Sequence, residues 1–311
     1  MTAVSLPRWV LAALSDWVII FCAFFFIHAV LTNTVALPLE MRVCAVIVSA
    51  WLGAIVIGSR QHALAILGHE GAHGMIAKTM WLNDFLANLM CFWPLGSGID
   101  GYRKFHFDHH HNLGTPRDPE LEHKRRSAPE WDLPDTNRGI RIRFAKDLLG
   151  FGLNDLFLVE HYVGIFRRHM TVRDLMGPIV WWTVAVAVIG PMHLWWVIPV
   201  WFGALATAFW AFFRVRMWTE HLGTPNVHRI TVVWWQRLFV PHNTWYHFEH
   251  HRFSNVPFFR LPLARALDTD EGITSLEALF ESYRQWRRIP SGLPLHEEMD
   301  ERFKLHSPMH S

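Results

Sequence analysis

The chain has 311 residues, is 51% hydrophobic and 18% charged, and carries a formal net charge of +2 at pH 7. That balance gives no reason to expect a nucleic-acid partner. Three cysteines, Cys22, Cys44 and Cys91, lie in apolar stretches without CxxC spacing, which excludes a disulfide framework and a thiolate metal site.

Residues 9–31 are apolar apart from Asp16, long enough to span a bilayer, and lack a small-residue cleavage site, so they read as a span rather than a signal peptide. Residues 38–58 are apolar after Arg42. Residues 81–94 are apolar but broken by Asn83, Asp84 and Asn88, which suggests an interfacial or re-entrant piece. Residues 117–138, rich in charge and proline, read as a solvated loop. Residues 175–213 contain no Asp, Glu, Lys or Arg. As one helix they would measure about 58 Å, nearly twice the roughly 30 Å hydrocarbon core. Gly190-Pro191 is a natural break near the middle.

The expected fold is therefore an all-α integral membrane protein, residues 1–311 forming a single domain. About four transmembrane helices, residues 9–31, 38–58, 175–190 and 192–213, pair into two hairpins. Segments 59–174 and 214–311 carry most of the 29 lysines and arginines. By the positive-inside rule those segments and both termini are cytoplasmic, forming a helical cap. Tryptophans at 181–182, 195–196, 201 and 234–235 fit belts at the membrane interface.

Three histidine clusters stand in the segments between and after the spans. They read His69-Glu70-Gly71-Ala72-His73, His106-Phe107-Asp108-His109-His110 and His247-Phe248-Glu249-His250-His251. On a helix, positions i, i+3 and i+4 share a face, so each cluster can aim its rings at one point. An HxxHH triplet is expected by chance only about 0.1 times in a chain this rich in histidine, so two of them carry the argument. Eight imidazoles exceed what one ion needs and point to a two-metal site. Imidazole suits zinc, iron, copper and nickel alike, so the spacing does not choose the metal. Asp108, Glu70 and Glu249 lie inside the clusters, and Asn243 lies close by. They are possible partners for the N–H groups that ligand imidazoles turn away from a metal. His242, Glu160 and His161 are further candidates, while His111 falls off the face of its cluster.

The order HxxxH, HxxHH, HxxHH around two apolar hairpins resembles the membrane fatty acid desaturase superfamily, which also includes hydroxylases and carotenoid ketolases. The flanks resemble it too: Gly68 and Gly74 around the first box, Tyr102-Arg103 before the second, and Gly114-Thr115 with Asp118-Pro119-Glu120 after it. At the third box they are Asn243, Val256-Pro257 and Leu261-Pro262. The similarity runs from about residue 9 to 265. Glu220-His221-Leu222-Gly223-Thr224 resembles the family segment that holds an isolated ligand histidine, which adds His221 to the set.

The resemblance implies two iron ions (Fe2+/Fe3+) held by His69, His73, His106, His109, His110, His221, His247, His250 and His251, with O2 as co-substrate. It implies oxidation of an unactivated C–H bond in a fatty acyl or related lipid drawn from the membrane, foremost desaturation. Hydroxylation, carotenoid ketolation or oxidative decarboxylation to a terminal alkene remain alternatives at the same site. No catalytic residue is needed beyond the metal centre. A membrane zinc hydrolase or a metal transporter is the rival from another class, but a transporter would place its ligands within the spans. The chain has no CxxC cluster site, flavin fingerprint or haem-binding domain, so a separate ferredoxin-, rubredoxin- or cytochrome-type donor with its reductase is expected. Arg103, Lys104, Arg125, Arg126, Arg287 and Arg288 offer a basic surface for it.

Overall fold

The computed structural model describes residues 1–113, 115, 117–120, 136–151, 169–220, 227–267, 272–274 and 276–279. Among these the chain is helical, with a lone parallel bridge between Ile230 and Ile273 and no strand. Helix α1 (Leu6–Asn33) begins with Pro7 in its first turn, where a missing N–H leaves nothing unpaired. Its buried residues Trp9, Ala13, Asp16, Ile20, Ala23 and Ile27 step by four and three, a heptad seam laid against α2 (Leu39–Ala72). Leu11, Val18, Phe21 and Phe25 on its other faces are exposed, as they are on a helix whose solvent is hydrocarbon.

Helices α6 (Val172–Ile189) and α7 (Val197–Glu220) make the second hairpin, reversed through Gly190, Pro191 and His193, the last at φ 54°. All four long helices are long and apolar enough to cross a membrane. Helix α7 relaxes into a π segment at Leu205–Phe209, and there it touches α2 most closely. A Cβ on Gly58 would sit 2.5 Å from Phe209 N and 2.9 Å from Ala204 O, so only glycine lets the two backbones meet.

Helix α2 runs well past residue 58. Its 34 residues make about 51 Å, longer than the hydrocarbon core, and the first histidine box rides on its last turns. Polarity does not end this helix, because Arg60 and Gln61 are buried with partners. Arg60 reaches Asp16 at 3.4 Å and donates to Leu238 O at 2.7 Å, and Gln61 donates to Trp201 O at 3.0 Å. Asp16, the one charge in the first span, also receives His242 Nε2 at 2.6 Å.

Residues 80–92 form α3 (Met80–Ala87) and a π segment, Asn88–Phe92. Three indoles satisfy carbonyls in and just after that segment: Trp181 donates to Leu89 O, Trp17 to Met90 O and Trp201 to Pro94 O. Trp201 is thus a buried packing residue, stacked on Trp17 at 5.7 Å, rather than part of an interface belt, whereas Trp195 and Trp234 are exposed. Further helices are α4 (Ile99–Asn112), α5 (Asn137–Leu148), α8 (Trp234–Phe239), α9 (His247–Arg252) and α10 (Leu261–Arg265). Helix α5 is tied to α7 by the fully buried pair Arg214 Nε and Asp147 Oδ2, 2.8 Å apart.

Candidate metal centre

The first box occupies the C-terminal turn of α2, where helix carbonyls lose their partners. Asn83 Nδ2 donates to Gly71 O at 2.8 Å. Arg103 donates to Ala72 O at 2.9 Å and to Gly71 O at 3.1 Å. Gly74, at φ 71°, then turns the chain away. Arg103 is held in turn by Asp84 at 2.5 Å. Its guanidinium therefore caps a helix; of the other basic residues expected to face a donor, Lys104 is exposed, and Arg125, Arg126, Arg287 and Arg288 lie outside the described residues.

The second box lies on α4, whose N-terminus is held by side chains from elsewhere. Asn88 Oδ1 accepts from Ile99 N at 3.0 Å. The buried carboxylate of Asp174 accepts from Asp100 N at 3.1 Å, Gly101 N at 3.0 Å and its own capping-box Thr171 N at 3.0 Å. A Cβ at Gly98 would fall 2.0 Å from Asp174 Oδ1, which explains glycine at that cap. Asp174→Ala strands the buried N–H of Gly101 and frees the part-buried N–H groups of Asp100 and Thr171, and should lower stability by about 2 kcal/mol. Thermal unfolding in detergent would show it, and a Tm within about 1 °C of wild type would contradict this account.

The third box lies on α9, only six residues long and unable to persist alone. Its flanks hold it. His242 and Asn243 both take left-handed backbone angles, φ 61° and 57°. His242 is fastened to Asp16, and Asn243 donates to Phe258 O at 2.9 Å. Glu70 Oε2 accepts from Phe258 N at 2.9 Å, and Glu249 pairs with Arg229 at 2.9 Å. Asp108 and His111 are exposed.

The three boxes converge. His69, His73, His106, His110 and His250 each offer a ring nitrogen, all within 4.8 Å of one another. His109, His247 and His251 adjoin them: the His251 ring is stacked 4.2 Å from His110, with His247 4.4 Å and His109 5.3 Å away. Nε2 atoms face each other at 2.8 Å (His73 and His106), 3.2 Å (His110 and His250) and 3.0 Å (His247 and His251). Two nitrogens bound at right angles to one ion through bonds of about 2.1 Å lie about 3.0 Å apart, so these pairs fit a metal. The buried His69 Nε2 meets no hydrogen-bond partner among the described residues, as an atom kept for a ligand would.

Carboxylates that the sequence reading did not single out as ring partners stand around the cluster. His109 Nδ1 donates to Asp118 Oδ1 at 2.9 Å and lies 3.4 Å from Glu120 Oε2. Glu220 Oε2 is 3.5 Å from His247 Nε2, with Arg216 on its other oxygen at 2.5 Å. Asp118 and Glu120 follow the second box closely enough to have been found from spacing alone. The partner of Glu220 is 27 residues away and needed the fold. Glu160, His161, His221 and Gly114 lie outside the described residues.

Burial first, and the Arg103 charge second, push His73 down to about 4, while burial above all pushes His110 to about 3. Burial likewise holds His106 and His250 well below the ordinary histidine range. These rings are neutral at pH 7, the form that binds metal. The unfolded chain protonates them near 6.5 and the folded chain does not, so stability falls as pH drops from 6.5 towards 4. The metal-free protein should lose about 1.4 kcal/mol per pH unit for each such ring below pH 6. Equal denaturant midpoints at pH 7 and pH 5 would contradict this.

Beside the cluster lies a cavity of about 490 Å³, walled by α2, α4 and α7. His69, His106, His109 and His247 form part of its lining, and Phe92, Phe202, Leu205 and Phe213 supply apolar wall. That size falls within the range of small-molecule sites.

The family described as fatty acid desaturase matches residues 45–274. A human sphingolipid delta(4)-desaturase/C4-monooxygenase is 24% identical over 221 residues, covering 68% of this chain. The chain spans 62% of that relative's length.

Proposed function

The chain belongs to the fatty acid desaturase family, and from that premise we propose that it is a di-iron, O2-dependent enzyme that desaturates a fatty acyl or related lipid. The observation that carries this reading is the meeting of eight box histidines, buried or half-buried, beside a largely apolar cavity. The family supports the coarser statement directly: this is a membrane oxidoreductase of lipids.

His69, His73, His106, His110 and His250 would hold one iron, and His109, His247 and His251 with His221 the other. When bound, the irons supply the O2 chemistry that removes hydrogen from an unactivated C–H bond. The protein's own groups do the rest. Asp118 accepts the Nδ1–H of His109 and so fixes which nitrogen faces the cluster, with Glu120 close behind. Glu220, oriented by Arg216, sits against His247. The aromatic and aliphatic cavity wall excludes water and holds one carbon of the lipid near the rings.

Hydroxylation is the second reading, favoured by the relative whose printed name joins a desaturase with a C4-monooxygenase. Ketolation and oxidative decarboxylation would use the same site. The positive-inside distribution supports a cytoplasmic site and cytoplasmic termini. A separate ferredoxin-, rubredoxin- or cytochrome-type donor supplies the electrons.

Expression in a host of known lipid profile, with mass spectrometry of fatty acids, alkenes and carotenoids, tests the reaction. A product lighter by two hydrogens supports desaturation, and a product heavier by one oxygen replaces it with hydroxylation. Metal analysis of the purified protein tests the centre: near two irons per chain supports it, and one zinc overturns it.

A further inference from the structure

His62 stands two turns before His69 on α2, and residues 62, 65, 66 and 69 form one face of that helix, all lining the cavity. At 1.5 Å rise per residue the two histidines are about 10 Å apart along the axis. The His62 side chain is 0% exposed, and its ring meets the edges or faces of Phe209 and Phe213 at 5.8 and 6.1 Å. Among the described residues neither of its ring nitrogens has a hydrogen-bond partner. The charged side chains that line the cavity are engaged: Arg216 with Glu220 at 2.5 Å, and Glu120 3.4 Å from His109 Nδ1.

A packing role is better served by leucine, since a buried imidazole without a partner gives up its hydration for nothing. A few polar groups placed in a mostly apolar cavity are how ligand sites fix orientation. We propose that His62 is a substrate-binding residue that hydrogen-bonds a hydroxyl or carbonyl group carried by the lipid. That group lies about 10 Å along the substrate from the carbon beside the box histidines. A neutral imidazole offers one donor and one acceptor, so a hydroxyl can meet either nitrogen and a carbonyl the protonated one. The substrate class is then a long-chain lipid with an internal oxygen function, not a plain hydrocarbon chain. This deepens the lipid-oxidation reading above and rests on it.

The test titrates octadecane, and octadecanols whose hydroxyl steps along the chain, against the full-length purified protein without reductant, followed by tryptophan fluorescence. One isomer, or a few neighbouring ones, should bind wild type about ten- to a hundredfold more tightly than octadecane. His62→Leu should erase that preference while octadecane binds as well or better. His62→Gln, which keeps a donor and an acceptor, should retain part of the preference and serves if the leucine variant does not fold. Wild type that binds octadecane and every octadecanol equally overturns this proposal alone, as does a preference that survives His62→Leu. Wild type that binds none of them overturns the lipid reading together with it.

Discussion

His250→Ala is expected to leave the purified protein with fewer than two irons and with less than about 1% of wild-type turnover. His250 is the hub of the cluster. Its ring lies 4.4 Å from His69, 4.7 Å from His73, 5.1 Å from His110 and 5.7 Å from His251. Alanine there removes a donor from the five-histidine group and opens a cavity among buried rings, which then admit water. His111→Ala is the matched comparison. His111 adjoins the second box in sequence but is exposed, and its ring bonds to the Phe107 carbonyl of its own helix at 2.7 Å. It should keep iron and turnover within about twofold of wild type. Iron content by elemental analysis, beside product formation, separates the two. Full iron and activity in His250→Ala would remove the ligand assignment.

Ala65→Phe should abolish turnover, by at least about a hundredfold, while iron stays bound. Ala65 lies between His62 and His69 on the cavity face of α2 and makes none of the ring contacts of the cluster. A phenyl ring there occupies the space beside the rings that a substrate carbon must reach. The combination of retained iron and lost product distinguishes a blocked substrate channel from a damaged metal centre. Undiminished turnover would show that the cavity of about 490 Å³ is not the route of the lipid.

The spans were legible because hydrocarbon imposes a coarse rule: a helix there must be long and apolar, and four such runs stand out in the chain. The box histidines were legible because ligand spacing on a helix is local, set by 3.6 residues per turn. Neither rule reaches across the sequence. Residue 58 looked like the end of the second span, since Ser59, Arg60, Gln61 and His62 are polar. The helix continues because Asp16, Leu238 O and Trp201 O, distant in the chain, receive Arg60 and Gln61. The helix-capping role of Arg103 was hidden for the same reason, its partners Asp84, Gly71 and Ala72 being visible only after folding.

The chain's pattern by itself determined that it is helical, built around four membrane-length apolar segments, and rich in imidazoles grouped for metal. Period and hydropathy are properties of neighbours in sequence. Only the tertiary structure decided that three boxes on α2, α4 and α9 share one centre. It also placed Glu220 against His247, used Asp174 to hold the helix of the second box, and set His62 in the wall of the cavity. Those relations join residues tens to hundreds of positions apart, and they exist once packing between α2 and α7, through Gly58, has brought the backbones together.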